Sequence, residues 1–340
     1  MNFAFDKLQK ESLSLLNKAF KESQHYYLGK NPMAEMLSYH YETGGKRLRP
    51  ICVYFAACSY GEKKSSAEIK KILRKLTPYA LAVELIHNAT LIHDDIQDGD
   101  RTRRGKKTLW VEYSLAQGIN CGDAWFFVPQ LLIQNAPYRM EEKMALLKLL
   151  QQKTLDVILG QSEEFDLKEK FSTGKKIQKK DYLHMAQGKT SALFSMPLLG
   201  GAILAGANIN ELMELEKAAI HLGHAFQIQD DLLDLWGEKG RDIIGSDIAE
   251  GKLSYPLVLL LGKKMSLAER KKIIKIVSAP REKTTVKDIK WVIIQMEKWA
   301  IKDEAKKDFL HSLQLAKASP LWSDVVDFLA EMLEEKVRRF

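Results

Sequence analysis

The sequence predicts an all-α protein, one domain over residues 1–340 built from roughly a dozen packed helices. Three observations predict it. Apolar residues recur at helical spacing through most of the chain, alternation of period two is scarce, and no linker rich in Pro, Ser or Gly divides the chain. With 340 residues, 46% hydrophobic and 28% charged, the chain is long enough to bury most of its surface, which excludes disorder as its main state.

Taken in order, Leu13, Leu16 and Phe20 mark a first helix. The opening MNFAFDKLQKE meets Asp6, Lys7, Lys10 and Glu11 before any apolar signal core develops, so no secretory signal and a cytoplasmic location are expected. Gly44-Gly45 interrupts the pattern, and Pro50 fits the first turn of the helix that follows. Residues 78 to 99 stay apolar on more than one face, the mark of a helix central to a bundle, and residues 209 to 236, with Leu212, Leu215, Ala219 and Leu222, read the same way. Gly105, the Gly118 to Gly122 stretch, Gly174, Gly200-Gly201, Gly237 to Gly245 and Pro280 punctuate the pattern at loop-like or bending positions. The longest nearly uncharged stretch, Leu193 to Ala207, has 15 residues and includes Ser195 and Pro197. A bilayer-spanning helix needs about 20, so no transmembrane segment is expected. From about residue 264 the chain becomes a lysine-rich, helical tail ending Arg338-Arg339-Phe340.

Only Cys52, Cys58 and Cys121 occur, too few and too scattered for a disulfide framework or a zinc site, which fits a reducing compartment. The net charge of +8 suggests anionic partners, among them phosphorylated metabolites, and by itself gives no reason to expect nucleic acid.

One pattern occurs twice. His93-Asp94-Asp95-Ile96-Gln97-Asp98 and Gln229-Asp230-Asp231-Leu232-Leu233-Asp234 each carry acids at i, i+1 and i+4 at the end of an apolar helical run. On a helix, i and i+4 share a face, so Asp94 with Asp98, and Asp230 with Asp234, present paired carboxylates. Two such charges at about 4 Å repel by about 4 kcal/mol at an effective dielectric of 20, so the arrangement calls for cations. Oxygen ligands without cysteine favour Mg²⁺, which is readily shared between carboxylates and phosphates. Beyond the first motif come Arg101, Arg103, Arg104, Gly105 and Thr108, and upstream lies Gly44-Gly45-Lys46-Arg47-Leu48-Arg49-Pro50. Arginine forks, lysine charge and paired glycines that admit an anion to backbone N–H groups suit a diphosphate.

In this order GGKRLRP, HDDIQDGDRTRRG, GKT at Gly188 to Thr190 and FQIQDDLLDLWG at Phe226 to Gly237 make the chain resemble the trans-isoprenyl diphosphate synthases, or polyprenyl synthetases, over about residues 40 to 262. The resemblance implies a bundle around a deep central apolar cavity, with the two aspartate-rich helices facing each other across three Mg²⁺ ions. It implies head-to-tail 1'-4 elongation of an allylic diphosphate (dimethylallyl, geranyl or farnesyl) by isopentenyl diphosphate, in a homodimer. By the same resemblance Asp94, Asp98 and Asp230 are metal ligands, with Asp95, Asp231 and Asp234 in supporting positions. Lys46, Arg49, His87 and Arg104 correspond to the isopentenyl diphosphate site. Arg103, Lys189, Thr190 and Gln227 correspond to the allylic site, and Lys252 to a lysine completing the diphosphate cage. Gly122-Asp123, Gly160-Gln161 and Tyr182 also match. Gly240-Arg241-Asp242 departs from the Gly-Lys usual after the second motif, with an apparent extra residue before Gly245 and Asp247.

Product length in such enzymes is thought to depend on the first bulky side chain the growing tail meets. Five and four residues before Asp94 stand Ala89 and Thr90, both small, and Leu85 and Ile86 follow one turn deeper, about 5.4 Å. Trp125 and Phe126, with Phe127, are the next candidate floor, which favours a twenty-carbon product, geranylgeranyl diphosphate, over farnesyl or longer chains. A class I terpene cyclase would not need Lys46, Arg49 and Arg104, and a non-catalytic subunit would not need all six aspartates.

Overall fold

The computed structural model describes residues 2–61, 64–237 and 244–339. It is helical almost throughout. In chain order α1 (Asn2–Leu28), α2 (Met33–Tyr41), α3 (Leu48–Ser59) and α4 (Ser66–Gln97) lead to a two-stranded antiparallel hairpin, β1 (Thr102–Arg103) with β2 (Lys106–Lys107). Then come α5 (Leu109–Glu112), α6 (Leu115–Asn135), α7 (Met140–Ser172), α8 (Lys179–Ala186), a π-helical turn (Gln187–Ser191), α9 (Ala192–Ala205) and α10 (Ile209–Trp236). The chain closes with α11 (Ser246–Ala249), α12 (Tyr255–Leu261), α13 (Leu267–Val277), α14 (Val286–Lys298), α15 (Ile301–Ala316) and α16 (Ser323–Val337). The helices outnumber the dozen expected partly because α5 and α11 are four-residue turns that a 3.6-residue period cannot reveal. The residues form two compact units, Met1–Thr154 with Ser195–Leu215, and Leu155–Phe194 with Glu216–Phe340.

In the first unit the central element is α4. Ser65 and Glu68 close a capping box at its start, and its middle is buried on all sides, from Leu76 and Tyr79 to Leu85, Ala89 and Ile92. Pro78 sits inside this helix and disturbs its ladder. Beside it the Tyr79 N–H donates to the Tyr138 hydroxyl at 3.2 Å, and the Thr77 hydroxyl donates to the Leu73 carbonyl at 2.7 Å. Around α4 pack α1, α3 and α6.

Four of the glycines expected at loops or bends, Gly118, Gly122, Gly200 and Gly201, lie instead inside helices. A Cβ on Gly200 would stand 1.9 Å from the Tyr79 ring, one on Gly201 would stand 2.3 Å from the Val53 carbonyl oxygen, and one on Gly122 would stand 2.5 Å from His93 Nε2. These glycines are contact points where another element comes too close for a side chain, so the sequence signal for a break is here a signal for packing. Of the Gly237 to Gly245 segment, residues 238–243, including Arg241 and Asp242, lie outside the described residues.

In the second unit α12 is buried at every position, and Tyr255 at its start donates its hydroxyl to Asp308 on α15 at 2.8 Å. Capping boxes at Ser266–Glu269 and Thr285–Asp288 start α13 and α14. Among the described residues no helix is long and apolar enough to cross a membrane.

Gly200→Ala is expected to destabilise the protein by about 1–3 kcal/mol, because overpacking against Tyr79 outweighs the roughly 1 kcal/mol that alanine gains over glycine in a helix. Urea midpoints compared with the parent check this; an unchanged or raised midpoint contradicts the contact.

Candidate active site

In the first unit several arginines gather around one buried acid. Arg47, the left-handed residue (φ 48°) that begins α3, donates to Glu84 Oε1 at 2.5 Å and to the Tyr41 carbonyl at 2.5 Å, and its guanidinium lies 3.8 Å above the Tyr41 ring. Asn88, one turn along α4, donates to the same Glu84 oxygen at 2.8 Å. Only 8% of the Arg47 side chain and 4% of the Glu84 side chain are exposed. This pair pins the segment between α2 and α3, with Lys46 exposed on one side of Arg47 and Arg49 following inside α3. Gly45 (φ 135°) adopts a conformation suited to glycine, and a Cβ there would stand 2.8 Å from the Arg104 guanidinium, which donates to the Gly44 carbonyl. Arg104 is thereby brought against the paired glycines.

Arg49 and His87 complete this cluster. Burial disfavours the Arg49 charge, and Glu84 partly restores it. Burial, then the field of Arg49, Arg103, Arg104 and Arg47, drives the His87 pKa well below its ordinary value, so the imidazole is neutral. Arg49 Nε and His87 Nδ1 are buried without a hydrogen-bond partner. Orphaned polar atoms inside a positive field are what an anion would satisfy.

The first acidic motif occupies the last turn of α4, where the negative end of the helix dipole adds to its carboxylates and favours a cation. Asp95 is buried and holds Arg103 through a forked pair, Nε to Oδ1 at 2.8 Å and Nη2 to Oδ1 at 2.6 Å. Its carbonyl accepts from the Trp110 indole at 3.1 Å. Asp94 is half-buried and Asp98, the C-terminal cap of α4, is exposed. Asp123 on α6 lies 3.3 Å from His93, whose ring stacks on Phe126 at 5.5 Å between centroids. Ala89 and Ile86 are fully buried in α4, while Thr90 is half-buried and donates to the His87 carbonyl at 2.8 Å. Trp125 is buried and meets Phe20 and His40 edge-on, and Phe127 is exposed.

The second motif belongs to the second unit and again lies in the last turns of its helix, α10. Asp231 accepts from the Tyr182 hydroxyl and the Tyr255 N–H, each at 2.5 Å, and from Gln227 Nε2 at 3.0 Å. Burial, with the Asp247 charge adding, raises its pKa to about 7. Asp234 accepts from the Ser246 hydroxyl at 2.6 Å and the Asp247 N–H at 3.1 Å, tying α10 to α11. Asp230 is half-buried. Thr190 donates to Gln227 Oε1 at 2.6 Å, so these two residues meet, and Lys189 bonds Glu164. The π-helical turn carrying Lys189 and Thr190 fits closely between α7 and α10. A Cβ on Gly160 would stand 2.2 Å from the Lys189 nitrogen, and one on Gly223 would stand 2.3 Å from Ser191. Lys252 pairs with Glu250 at 3.1 Å.

The donor set suits a hard divalent cation, being oxygen-only at both motifs. Among the described residues no three His, Cys, Asp or Glu side chains are gathered as a closed metal site. Such a cation would therefore take part of its ligation from water or a bound phosphate. Reading the sequence missed Glu84 and Asn88, although a lone acid in the apolar run around His87 was a signal. It also missed Glu164 and Glu250, which carry no local signal because their partners lie far along the chain.

The profile of the polyprenyl synthetase family matches residues 30–296. The chain belongs to that family. It is 33% identical over 252 residues to a geranylgeranyl diphosphate synthase of Mycobacterium tuberculosis, an alignment covering 70% of this chain and 68% of the relative. Its fold is similar to that of a geranylgeranyl pyrophosphate synthetase from Pyrococcus horikoshii, with TM-score 0.83 at 24% identity over 97% of this chain and 98% of the other. It is also similar to a polyprenyl synthase from Caulobacter crescentus solved with calcium and isoprenyl diphosphate, with TM-score 0.80 at 25% identity over 97% and 96% of the two chains. The all-α expectation and the family resemblance are borne out by these matches.

Removing one member of the Arg47–Glu84 pair is expected to be far worse than removing both. Glu84→Ala leaves a buried guanidinium uncompensated and costs about 3–5 kcal/mol, whereas Arg47→Met with Glu84→Leu recovers most of that stability. Denaturation of the two single variants and the double variant measures the coupling; additive losses contradict a buried pair.

Proposed function

We propose that this polyprenyl synthetase condenses isopentenyl diphosphate with an allylic diphosphate in a Mg²⁺-dependent 1'-4 head-to-tail step and makes geranylgeranyl diphosphate. The observation that carries the reading is the pair of orphaned atoms, Arg49 Nε on α3 and His87 Nδ1 on α4, within the arginine cluster, His87 lying on the helix whose last turn bears the first acidic motif. Lys46, Arg49, His87 and Arg104 hold the diphosphate of isopentenyl diphosphate, with His87 neutral and able to donate one hydrogen bond. Arg103, Lys189, Thr190, Gln227 and Lys252 hold the allylic diphosphate.

Asp94, Asp98 and Asp230 would ligate three Mg²⁺ ions together with the substrate. When bound, these ions supply positive charge that offsets the charge gathering on the departing pyrophosphate. The allylic carbon–oxygen bond breaks with its electron pair leaving on pyrophosphate, and the double bond of isopentenyl diphosphate forms the new carbon–carbon bond. A proton is then lost to the pyrophosphate. Arg103 and Lys189 stabilise the leaving charge from fixed positions, and the apolar walls of α4 keep water from the cation.

The family match runs through residues of both compact units, which supports one catalytic domain. Along one face of α6, Leu115, Ile119, Phe127 and Leu131 are exposed with Asp123 between them, and we assign this face to a second copy in a homodimer. Cys52, Cys58 and Cys121 are free thiols, in keeping with a cytoplasmic location.

Asp94→Ala and Asp230→Ala are each expected to lower turnover on the order of 10²-fold or more, as is chelation of Mg²⁺ with activity restored on adding it back. Radiolabelled isopentenyl diphosphate incorporation measures this, and near-normal rates in either variant would sink the metal assignment. Ala89→Phe is expected to move the product toward fifteen carbons. Chromatography of dephosphorylated products reads the shift; an unaltered twenty-carbon product places the length control elsewhere.

A further inference from the structure

The chain's positive charge is concentrated in one place. Residues 263–298 contain eleven lysines and arginines against four acids, a net of +7 where the whole chain carries +8. This segment forms α13 and α14, which pack on each other, with Lys272 lying 4.0 Å above the Trp291 ring. Of the four acids, Glu269 and Asp288 are engaged by capping boxes, and Glu269 also pairs with Lys298 at 3.2 Å. Both arginines serve the fold. Arg270 donates to the Leu261 carbonyl at 2.7 Å, and Arg281 pairs with Glu250 at 3.3 Å. What the two helices present outward is lysine: Lys271, Lys272, Lys275, Lys287 and Lys290 are all exposed.

Apolar side chains stand among these lysines at one-turn spacing. On α14 the exposed row reads Val286, Lys290, Ile294, Lys298, with Val286 58% and Ile294 55% exposed. On α13 it reads Leu267, Lys271, Lys275, with Leu267 77% exposed. These rows are distinct from the inward faces of the same helices, where Ile273, Ile276, Ile289, Val292 and Met296 are buried. The outward apolar residues therefore do not belong to the core.

We propose that the outer face of α13 and α14 docks the protein on a bilayer rich in anionic phospholipid. Lysines are compact point charges on long apolar stems, suited to a diffuse negative surface into which the stems can lean, while Leu267, Val286 and Ile294 reach into the headgroup boundary. A nucleic acid fits less well. Base stacking needs an open aromatic face, and Trp291 is half-buried under Lys272. The docking surface uses none of the residues assigned to the diphosphate sites, so it stands apart from the reaction. The reaction adds a reason for it, since a twenty-carbon product is itself amphipathic and a membrane-facing enzyme delivers it where it partitions.

Co-sedimentation with vesicles tests this, using neutral phosphatidylcholine, phosphatidylcholine with phosphatidylglycerol, and a thirty-nucleotide oligouridine as soluble competitor. The full chain is expected to sediment with the anionic vesicles, to remain in solution with the neutral ones, and to be released by high salt. Reversing three charges in Lys271→Glu/Lys275→Glu/Lys290→Glu is expected to weaken partitioning on the order of 10²-fold with turnover in solution unchanged. Ile294→Ser, which leaves charge intact, is expected to weaken it less and to reduce quenching of tryptophan fluorescence by brominated lipid. Equal binding to neutral vesicles, undiminished binding by the triple variant, or tighter binding to oligouridine than to anionic vesicles would each overturn the proposal.

Discussion

A buried acid among arginines is the constraint on which the first unit's site depends. Without Glu84, the guanidinium of Arg47 would lie in the interior with only the Tyr41 carbonyl and ring to offset its desolvation. With it, the left-handed turn at Arg47 is fixed, α3 begins where it does, and Lys46 and Arg49 flank a rigid point. Asn88 orients the carboxylate from one turn further along, so the network is anchored on the buried middle of α4. One pair therefore satisfies itself and leaves the remaining cations, Arg49 and Arg104, with positive field to spare for an anion.

The acids obey the complementary rule. Of the six aspartates in the two motifs, Asp95, Asp231 and Asp234 are buried and take hydrogen bonds from Arg103, from Tyr182, Tyr255 and Gln227, and from Ser246 and the Asp247 backbone. Asp94, Asp98 and Asp230 are the more accessible ones. The helical period explains why Asp95 and Asp231 turn away from Asp94 and Asp230, because residues i and i+1 are about 100° apart. Asp234, one turn beyond Asp230, is buried instead by α11, whose Ser246 hydroxyl and Asp247 N–H donate to it. In each motif the second aspartate turns inward and ties the helix end to its neighbours.

Much of this was legible in the sequence, for a physical reason. Helical periodicity, the doubled acidic motif and the basic clusters are local patterns, and local patterns survive reading along one dimension. The all-α class, the central position of α4 and the family came from them. What stayed hidden depends on partners far apart in the chain. Gly200 and Gly122 read as interruptions because a missing side chain looks the same whether the backbone must bend or a tyrosine or histidine must pass. Arg47 read only as part of the basic cluster, and its pairing with Glu84 and the Tyr41 carbonyl could not be seen along the chain. Trp125, read as a floor for the growing tail, lies against Phe20 and His40, contacts that no spacing rule could supply.

The same logic of paired and unpaired charge separates the two basic regions of the chain. Near α3 and α4 most of the cations are arginines, and Arg47 and Arg103 are held by forked or stacked contacts, a geometry that suits a small, multiply charged anion at a fixed place. Around α13 and α14 Arg270 is bonded to the Leu261 carbonyl and Arg281 to Glu250, and lysines stand outside, strongly hydrated and flexible, which suits a broad surface whose charges have no fixed geometry. Net charge alone would have assigned both regions to one kind of partner. The identity of each cation, and what it is already bonded to, is what distinguishes the diphosphate site we propose from the lipid-facing surface we propose.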